Sequence, residues 1–259
     1  MIDTQEKQDL NDDMSVGCGP VLPVLGRDTT TLRQQVFEHV RAAGRAARAD
    51  ITRALGISAG SATTLTADLI ARGMLREVEG LPREQGRGRP PVALEVVPDY
   101  KHVIGIKLSD EIHTAVLTDF AGNVLADASF KTLLPRKDIN VALDEMDVLI
   151  TDLLTESGKS MDQISAVGVG LSGIVDHNTG VVAWSPLLTT RDLDLKSAFA
   201  KRHDCPLHVD NDANVLTLAE LWFGAGRDLA NFAVVTIEHG VGMGMVLDNR
   251  LFRGARGMG

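Results

Sequence analysis

Apolar residues in the first third of the chain recur at helical spacing. In "TTTLRQQVFEHVRAAG" the repeat predicts a helix that Gly44 is placed to end. A short second helix follows in "RADITRALGIS", and Ser58 is placed to cap a third in "SAGSATTLTADLIARG". The apolar positions of these three helices are Leu32, Val36, Phe37, Val40 and Ala43, then Ile51, Ala54 and Leu55, then Ala62, Leu65, Leu69 and Ile70.

Two short strand patterns complete this segment. "MLREVEG" and "VALEVVP" flank the arginine-rich loop "LPREQGRGRPP". Three helices followed by a β-hairpin is the order of a winged helix-turn-helix domain, which we predict for residues 28–98. Residues 1–27 contain Pro, Gly and acidic residues without periodicity, and we expect them to form a mobile tail.

From Tyr100 onward the pattern becomes that of an α/β domain, predicted over residues 99–259. "HVIGIKLSD" and "IHTAVLTDFAGNVLADASF" predict three strands, with a hairpin turn at residues 121–123. "NVALDEMDVLITDLLTESG" predicts an amphipathic helix, and "ISAVGVGLSGIVD" and "GVVAWSPLL" predict further strands. "CPLHVDNDANVLTLAELWFGAG" predicts a strand, a polar turn and a helix, and "NFAVVTIEHGVGMGMVLDNRLFRG" predicts a hairpin.

Charge separates the two segments. Residues 26–95 carry 11 basic residues, all of them arginines, against 8 acidic residues. The remainder of the chain carries 15 basic residues against 27 acidic ones, so that a net +3 segment contrasts with a net −12 for the rest. This asymmetry indicates a small nucleic-acid-binding module on an acidic body.

The third helix and the hairpin loop supply candidate DNA contacts. Short hydroxyls outside the predicted core stripe can approach base edges and phosphates, and arginines at a flexible tip suit phosphates or the minor groove. These residues are Ser58, Ser61, Thr63, Thr64 and Thr66 on the helix, and Arg83, Arg87 and Arg89 on the loop. The alternative is a helical protein-interaction module with a solvated basic loop.

Several classes of protein are disfavoured by composition. No apolar run approaches the ~20 residues that span a bilayer. The polar, acidic N-terminus is unlike a signal peptide. Cys18 and Cys205 lie far apart without metal-ligand spacing, so we expect two unpaired thiols, no metal site and a cytoplasmic location.

Two stretches carry candidate cleft chemistry. In "TIEHGVGMGMVL", residues 236–247, alternating glycines can let backbone amides close around a phosphate, although Glu238 and His239 at its mouth oppose this. In "VDNDANV", a carboxylate between a strand and a helix can align and deprotonate a hydroxyl. Alternatively, Asp210 or Asp212 simply caps the helix.

Taken together, these motifs resemble the ROK family of repressors, open reading frames and sugar kinases. The resemblance rests on the winged-helix pattern with "GRGRPP", then "VGVGLSGIVDHNTGVV", "VDNDANVLTLAELWFGAG" and "TIEHGVGMGMVLDNRLFRGARG" in that order, and covers residues 29–259. It implies an actin-like, ribonuclease-H-like ATPase fold behind an N-terminal DNA-binding domain. It also implies a cleft between two lobes that holds a sugar and, in the kinases, ATP.

The resemblance assigns sugar-binding roles to four residues. Asn211 and Asp212 match the family's asparagine, which hydrogen-bonds the sugar, and its aspartate, which acts as the base in kinases. Ser172 and Gly173 match a segment that borders the sugar, as does the turn at Ser185 and Pro186.

The kinase phosphate loops are altered. Where family kinases have Asp-x-Gly-x-Thr, this chain has Lys107, Ser109 and Glu111, and Glu238-His239-Gly240 replaces Gly-Thr-Gly. A lysine cannot ligate Mg²⁺, a serine restricts close approach of the backbone, and a glutamate repels a triphosphate. We therefore expect no bound ATP and no catalytic residue.

The resemblance also concerns what would follow "RGARGMG". In the family a Glu and a His that grip the sugar, and then a cysteine-rich zinc site, lie beyond the position of Gly259. We therefore expect an incomplete second lobe with exposed apolar surface, no cofactor in this chain, and either a fragment or a natural truncation.

Three functions compete at this point. The first is a transcriptional regulator of the repressor type that binds double-stranded operator DNA as a homodimer or higher oligomer and senses a sugar or sugar phosphate. The second is a sugar kinase with a DNA-binding arm, which Asp212 favours and the altered loops oppose. The third is a protein-interaction or dimerisation module. None of the three requires a membrane.

Overall fold

The N-terminal module of this computed structural model contains three helices and a small antiparallel sheet. The structure describes residues 17–22, 31–79, 92–237 and 240–254. The elements of the module are α1 (Leu32–Ala43), β1 (Arg45–Ala47), α2 (Arg48–Leu55), α3 (Ala59–Ala71), β2 (Leu75–Val78) and β3 (Ala93–Val96). The sheet order is β1-β3-β2, with both pairs antiparallel. The predicted helices and hairpin strands are present, and β1 is an addition.

Local capping sets the limits of these helices. The Thr31 side chain accepts a hydrogen bond from the Gln34 amide at the start of α1, and Ser58 caps α3 in the same way. Gly56 ends α2 in the left-handed conformation. The core of the module is formed by Val36, Phe37, Val40, Ala46, Ile51, Leu69, Leu75, Leu94 and Val96. Ala42 is buried in α1 where the pattern predicted Ala43, and Leu32 is exposed.

The second module is built on a five-stranded mixed sheet, which confirms the predicted α/β architecture. Its sheet order is β11-β7-β4-β5-β6, with β4, β7 and β11 parallel and β4, β5 and β6 forming an antiparallel meander. The elements are β4 (His102–Leu108), β5 (Ile112–Thr118), β6 (Val124–Lys131), α4 (Ile139–Ser157), β7 (Ile164–Leu171), α5 (Leu195–Ala200), β11 (Leu207–Asn211) and α6 (Asp212–Phe223). Helix α4 covers β5 and β6, and its buried face joins the main core.

Two smaller antiparallel sheets flank the large one. The first contains β8 (Ile174–Asp176), β9 (Val181–Trp184) and β10 (Leu193–Asp194), and the second contains β12 (Phe232–Ile237), β13 (Val241–Leu247) and β14 (Arg250–Phe252). Short 3₁₀ turns lie at Pro98–Tyr100 and Met161–Gln163. The elements β10, α5 and β14 were not predicted.

Residues 17–22 lie against both modules. Cys18 is buried, its amide donates to the Arg41 carbonyl of α1, and the Gly19 amide donates to the Trp222 carbonyl of α6. Gly17, at φ 86°, lies so close to α1 that an added Cβ would be 2.2 Å from the Arg41 oxygen. The prediction of a mobile tail is therefore wrong for these six residues. The rest of the predicted tail lies outside the described residues.

A second junction between the modules is aromatic. The Phe120 ring, in the turn between β5 and β6, stacks on Phe37 of α1 with centroids 5.1 Å apart. It also contacts Tyr100, at 5.0 Å. The predicted turn is held by Asp119, whose carboxylate accepts hydrogen bonds from the backbone amides of Ala121 and Asn123.

Across the described part of the chain, no helix combines the length and apolarity that crossing a membrane requires.

Candidate functional site

The carboxyl ends of three parallel strands, β4, β7 and β11, open into a cleft. Polar groups at such a sheet edge commonly form the ligand site of an α/β protein. The cleft has a volume of about 1230 Å³, which exceeds what a single sugar requires. We call the ends of β7 and β11, with Ser172, Gly173, Ser185, Asn211 and Asp212, the Asp212 side. We call residues 107–112, which comprise the end of β4, the turn that follows it and the first residue of β5, the Ser109 side.

Two serines and a glycine shape the loop that follows β7. The Ser185 hydroxyl donates to the Ser172 carbonyl at 2.6 Å and accepts from the Leu187 amide at 3.2 Å. Gly173 has φ 141°, and an added Cβ would lie 2.2 Å from the Trp184 carbonyl. Both conformation and space therefore require glycine at this position. The loop is held rigidly with the Ser172 hydroxyl directed to Asp212.

Asn211 and Asp212 occupy the junction between β11 and α6. Asn211 is the N-cap: its side-chain oxygen accepts from the Ala213 amide at 2.9 Å, and its NH₂ group donates to the Gly173 carbonyl at 2.9 Å. The Asp212 carboxylate accepts hydrogen bonds from the Ser172 hydroxyl and the Ala213 amide. A carboxylate has about four acceptor positions, so Asp212 retains capacity for a ligand hydroxyl. The alternative that Asp210 or Asp212 caps the helix is therefore wrong, since Asn211 is the N-cap, and Asp212 lines the cleft.

Several residues of the cleft were not identified from the sequence. Asp210 forms an ion pair with Arg253, which follows β14, and also accepts from the Asn214 side chain. This pair ties the sheet of β12, β13 and β14 to the end of β11. Other side chains lining the cleft are those of Arg136, His177, Trp184 and His208. These four side chains come from separate turns and strand ends, and it is the fold that gathers them around the cleft.

On the Ser109 side, the turn satisfies its own backbone amides. The Ser109 side-chain oxygen accepts from the amides of Glu111, at 3.3 Å, and Ile112, at 3.2 Å. The Ser109 amide itself donates to Nδ1 of His113 at 3.0 Å. A phosphate-binding turn presents such amides to its ligand, whereas here all three have protein acceptors. Together with Lys107, this arrangement does not fit a magnesium–triphosphate group.

A buried polar cluster supports that turn. Since Nδ1 of His113 accepts a hydrogen bond, Nε2 carries the proton and donates to Glu145 at 2.9 Å. The Lys137 ammonium lies 2.5 Å from the same carboxylate and 2.6 Å from the Thr132 hydroxyl. All four side chains are buried. The cluster fixes the His113 ring, which in turn fixes the Ser109 amide.

The cluster also sets the protonation states of His113 and Glu145. Burial lowers the pKa of His113 from its ordinary value, and the neighbouring Lys137 ammonium lowers it further. For Glu145, burial opposes ionisation, but hydrogen bonds from Lys137, Thr132 and His113 outweigh it and lower the pKa of the carboxyl. Both lowered pKa values favour an ionised Glu145 carboxylate beside a neutral His113 imidazole.

The alternating glycines of β13 allow close packing on helix α6. A Cβ at Gly244 would lie 2.1 Å from the Thr217 side-chain oxygen, and one at Gly242 would lie 3.2 Å from Ala213. Among the described residues, nothing lies within 4 Å of the corresponding position at Gly240. Gly242 and Gly244 therefore bring the hairpin onto α6. Glu238 and His239 lie outside the described residues.

The start of helix α3 holds four of the eight predicted DNA contacts. The Ser58 hydroxyl accepts from the Ser61 amide at 3.0 Å, and Thr63 donates to the Ala59 carbonyl at 2.8 Å. Ser58, Thr63 and Thr64 are exposed, and Ser61 is half-buried. A helix N-terminus with short hydroxyls can approach a phosphate or a base edge. Arg83, Arg87 and Arg89 lie outside the described residues.

Thr66 requires a correction. Its side chain is fully buried, donates to the Ala62 carbonyl at 2.8 Å and accepts from Arg48 Nε at 3.0 Å. Its position one turn after Ala62 places it on the core-facing side of α3. The prediction that Thr66 contacts DNA is therefore wrong, and its hydroxyl instead joins α3 to the start of α2.

The arginines that gave the module its positive charge are mostly paired. Carboxylate partners lie within 3.2 Å of six of them: Arg33 and Arg72 on Asp68, Arg45 and Arg76 on Glu95, Arg48 on Glu77 and Arg53 on Asp50. A seventh, Arg41, lies over the Trp222 ring. Net charge therefore overstates the cationic surface of the described part of the module.

The expected exposure of apolar surface is observed on the sheet of β12, β13 and β14. Val235 and Ile237 of β12 pair with Met243 and Val241 of β13, and all four are exposed, with Ile237 80% accessible.

Within the described ranges, no three His, Cys, Asp or Glu side chains gather closely enough to hold a metal ion.

Comparison with known proteins gives a consistent result. Residues 103–259 match the ROK family. The xylose repressor of Caldicellulosiruptor bescii is 31% identical over 214 residues, covering 81% of this chain and 52% of that protein. The DNA-binding transcriptional dual regulator NagC of Escherichia coli K12 is 26% identical over 224 residues, covering 86% of this chain and 54% of NagC. The chain thus spans about half the length of the curated relatives it matches.

Solved structures show the same fold. A ROK family transcriptional regulator, a homologue of the E. coli MLC protein, matches with a TM-score of 0.70 and 26% identity over 87% of this chain and 56% of that one. A ROK family glucokinase from Streptomyces griseus, in complex with glucose and AMPPNP, matches with a TM-score of 0.54 and 27% identity over 61% of this chain and 48% of that one. The likeness to the regulator extends over more of the chain.

Proposed function

This chain belongs to the ROK family, and on that premise we propose that it is a DNA-binding transcriptional regulator, a repressor of carbohydrate-related genes, whose kinase-like body senses a sugar. Its operator DNA would contact the N-terminal module, in the cytoplasm, and the sugar would enter the cleft. Similarity to the xylose repressor and to NagC, each named for regulation, supports this assignment.

The difference between the two sides of the cleft is the observation that carries the proposal. On the Asp212 side, a carboxylate faces the cleft with acceptor capacity left for a polyol. On the Ser109 side, three turn amides are already bound within the protein. A site of this kind retains a sugar and excludes a nucleotide.

The sugar would be held by polar contacts and one aromatic surface. Asp212 accepts from ligand hydroxyls, and the loop at Ser172 and Gly173 supplies a rigid wall. Asn211 acts mainly by fixing that loop, since both ends of its amide have protein partners. Trp184 is partly exposed beside the loop and offers a face against which the apolar side of a sugar ring can lie.

The alternative is a sugar kinase, and Asp212 together with the likeness to a glucokinase favours it. A kinase must also hold magnesium and a triphosphate, for which Lys107 and the closed turn are unsuited. We therefore propose that the chain has no phosphotransfer activity.

DNA binding would use two kinds of contact in the N-terminal module. Arg87 and Arg89 would serve phosphates or the minor groove, and Thr63 and Thr64 would face bases. We expect the protein to bind as a dimer or higher oligomer, because one module contacts little DNA and two half-sites ~10 bp apart multiply affinity.

Titration of duplex DNA at several salt concentrations tests this division. The change Arg87→Ala with Arg89→Ala should weaken binding to all duplexes and reduce the salt slope by about 1 for each of the two arginines that neutralises a phosphate. Thr63→Ala or Thr64→Ala should instead reduce the preference for operator over random DNA, by up to ~1–3 kcal/mol. Arg202→Ala, which removes a charge paired with Asp144 on the α/β module, serves as the control. A wild-type salt slope in the double arginine variant would refute the assignment of the loop.

A further inference from the structure

Helix α6 connects the cleft to the DNA-binding module. It begins at Asp212 in the cleft, and its second-last residue, Trp222, lies at the boundary with α1. Its 12 residues make it about 18 Å long. The hairpin of β12 and β13 packs tightly on it, since Gly242 and Gly244 leave no room for a side chain. A helix held in this way moves as one body, so a displacement at Asp212 also displaces Trp222.

The far end of α6 meets α1 through a cation and an aromatic ring. The Arg41 guanidinium carbon lies 4.1 Å from the centroid of the Trp222 ring and 5.5 Å from that of Phe37. Arg41 Nε is buried, and among the described residues no acceptor lies within hydrogen-bond distance of it. A buried N–H without a hydrogen-bond partner costs free energy. This cost opposes formation of the contact between Arg41 and Trp222.

Residues 17–22, which we call the strap, close the contact from outside. The strap amides of Cys18, Gly19 and Val21 donate to the carbonyls of Arg41, Trp222 and Arg227, at 3.1, 2.8 and 2.8 Å. The Arg227 guanidinium returns two hydrogen bonds, to the Gly19 carbonyl at 3.0 Å and to the Ala42 carbonyl at 2.7 Å. The strap thus binds α1 and the end of α6 at once.

The other junction between the modules differs in kind. Phe120, Phe37 and Tyr100 form an aromatic cluster, and the backbone adds one hydrogen bond, from the Phe120 amide to the Pro98 carbonyl at 2.9 Å. Apolar contact is non-directional and tolerates rotation, whereas the strap depends on hydrogen bonds of fixed length and angle. Phe120 therefore suits a pivot, and the strap with Arg41, Trp222 and Arg227 suits a latch.

We propose that helix α6 transmits occupancy of the cleft to the DNA-binding module through this latch, with Phe120 as the pivot. The proposal rests on the proposed function, because the signal it carries is the binding of a sugar at Asp212. Sugar binding displaces the start of α6, the shift opens or tightens the Trp222–Arg41 contact, and the module turns about Phe120. Trp222 is a positioning residue in this scheme and touches neither ligand.

The two tryptophans and the two cysteines of the chain provide separate reporters. Trp184 lies in the cleft and Trp222 in the latch, so variants at Trp222 leave Trp184 fluorescence to report sugar binding. Cys18 is buried in the strap, whereas Cys205 is buried in the core of the α/β module. The rate of thiol modification at Cys18 reports opening of the latch, and the rate at Cys205 is the internal reference.

The test compares wild type with Trp222→Leu, using D-xylose and N-acetyl-D-glucosamine as the probe sugars and the duplex upstream of the protein's own reading frame as the probe DNA. In wild type, the bound sugar should change the Cys18 modification rate and shift DNA affinity by about 5- to 150-fold. In Trp222→Leu, Cys18 should react at least about 10-fold faster than in wild type without sugar, and the sugar-dependent shift in DNA affinity should fall toward 1. The sugar Kd read from Trp184 should stay unchanged.

Two further variants control the test. Trp222→Phe retains an aromatic face for Arg41 and should restore most of the coupling. Phe223→Leu alters the next, exposed residue of α6 and should behave as wild type. Full coupling in Trp222→Leu, or a Cys18 rate in wild type that ignores a sugar seen by Trp184, would overturn the latch and leave the proposed function standing. A Trp184 signal that answers neither sugar would refute the proposed function, and the coupling with it.

Discussion

The two sides of the cleft have the same origin in the fold and opposite chemistry. Both lie at the carboxyl ends of parallel strands, β7 and β11 on the Asp212 side and β4 on the Ser109 side. On the Asp212 side, hydrogen bonds among protein groups position a carboxylate that still faces the cleft. On the Ser109 side, the protein groups consume the amides that a phosphate would need. Strand ends of one sheet can therefore differ in whether their polar groups face the cleft or are bound within the protein.

The difference also extends beneath the surface. The Ser109 turn is fixed from below by a buried ion pair and an imidazole, with Lys137, Glu145 and His113 all within 3.0 Å of one another. Breaking such a cluster leaves a buried charge unpaired, which is strongly unfavourable. The buried cluster thus holds the Ser109 turn in the conformation in which protein groups accept hydrogen bonds from its amides.

The largest expected effect comes from adding one methyl group to Gly173 on the Asp212 side, with the same change at Gly240, just before β13, as the control. Gly173→Ala should lower the free energy of unfolding by about 2–4 kcal/mol, because the new Cβ would overlap the Trp184 carbonyl in a conformation that disfavours side chains. Gly240→Ala, where the space is open, should stay within about 0.5 kcal/mol of wild type. Urea unfolding followed by circular dichroism measures both. Equal losses in the two variants would show that the two loops are not held differently.

The next effect concerns pH. The pKa of His113 is lower in the folded protein than in the unfolded chain. As the pH falls through about 6.5, the unfolded chain therefore takes up a proton that the folded protein does not yet bind. The free energy of unfolding should therefore fall as pH decreases from 7 to 5, by at most ~1.4 kcal/mol per pH unit from this group. The lowered pKa of Glu145 acts in the same direction at lower pH.

His113→Gln isolates that contribution, because it removes the imidazole and leaves the other titrating groups in place. His39, whose pKa burial also lowers, contributes to both proteins equally. Thermal unfolding at half-unit pH steps should show a shallower decline in the variant between pH 7 and pH 5. A variant with the wild-type decline would place the pH dependence elsewhere and remove His113 from the account of the turn.

The smallest expected effect is the response to nucleotide. Magnesium and ATP at millimolar concentration should leave the melting temperature of wild type unchanged, because the turn amides are occupied and a lysine such as Lys107 cannot ligate a metal ion. Ser109→Gly frees the amides of Glu111 and Ile112 but retains Lys107, so it should also show no shift. A stabilising shift in either protein would mean that the Ser109 side still binds a triphosphate.

Most of the fold follows from patterns that the sequence displays openly. Helix α4 and the strands β4 to β6 were predicted because their apolar periods are long and uninterrupted, and Ser58 was predicted as a cap from its place before an apolar run. The strand β1 was missed because three residues carry no period.

The site was less predictable, because it depends on pairing across the chain. Thr66 looked exposed by residue type, yet its place on α3 buries it against Arg48. The positive charge of the N-terminal module was visible in the sequence, but the carboxylates that pair with its arginines were not. The Cys18 strap was missed because its contacts are backbone hydrogen bonds, which any residue except proline can donate.

The central claim, that the cleft binds a sugar which controls DNA binding without phosphotransfer, is tested most directly with Asp212→Asn. Operator affinity and ATP consumption would be measured in parallel for both proteins, with and without sugar. We predict that sugar changes operator affinity in wild type, that sugar affinity falls about 10- to 100-fold in the variant for loss of a charged hydrogen bond, and that operator affinity without sugar is unchanged. We also predict no sugar-dependent ATP consumption in either protein. Sugar-dependent ATP consumption that disappears in Asp212→Asn would contradict the account and make this protein an enzyme.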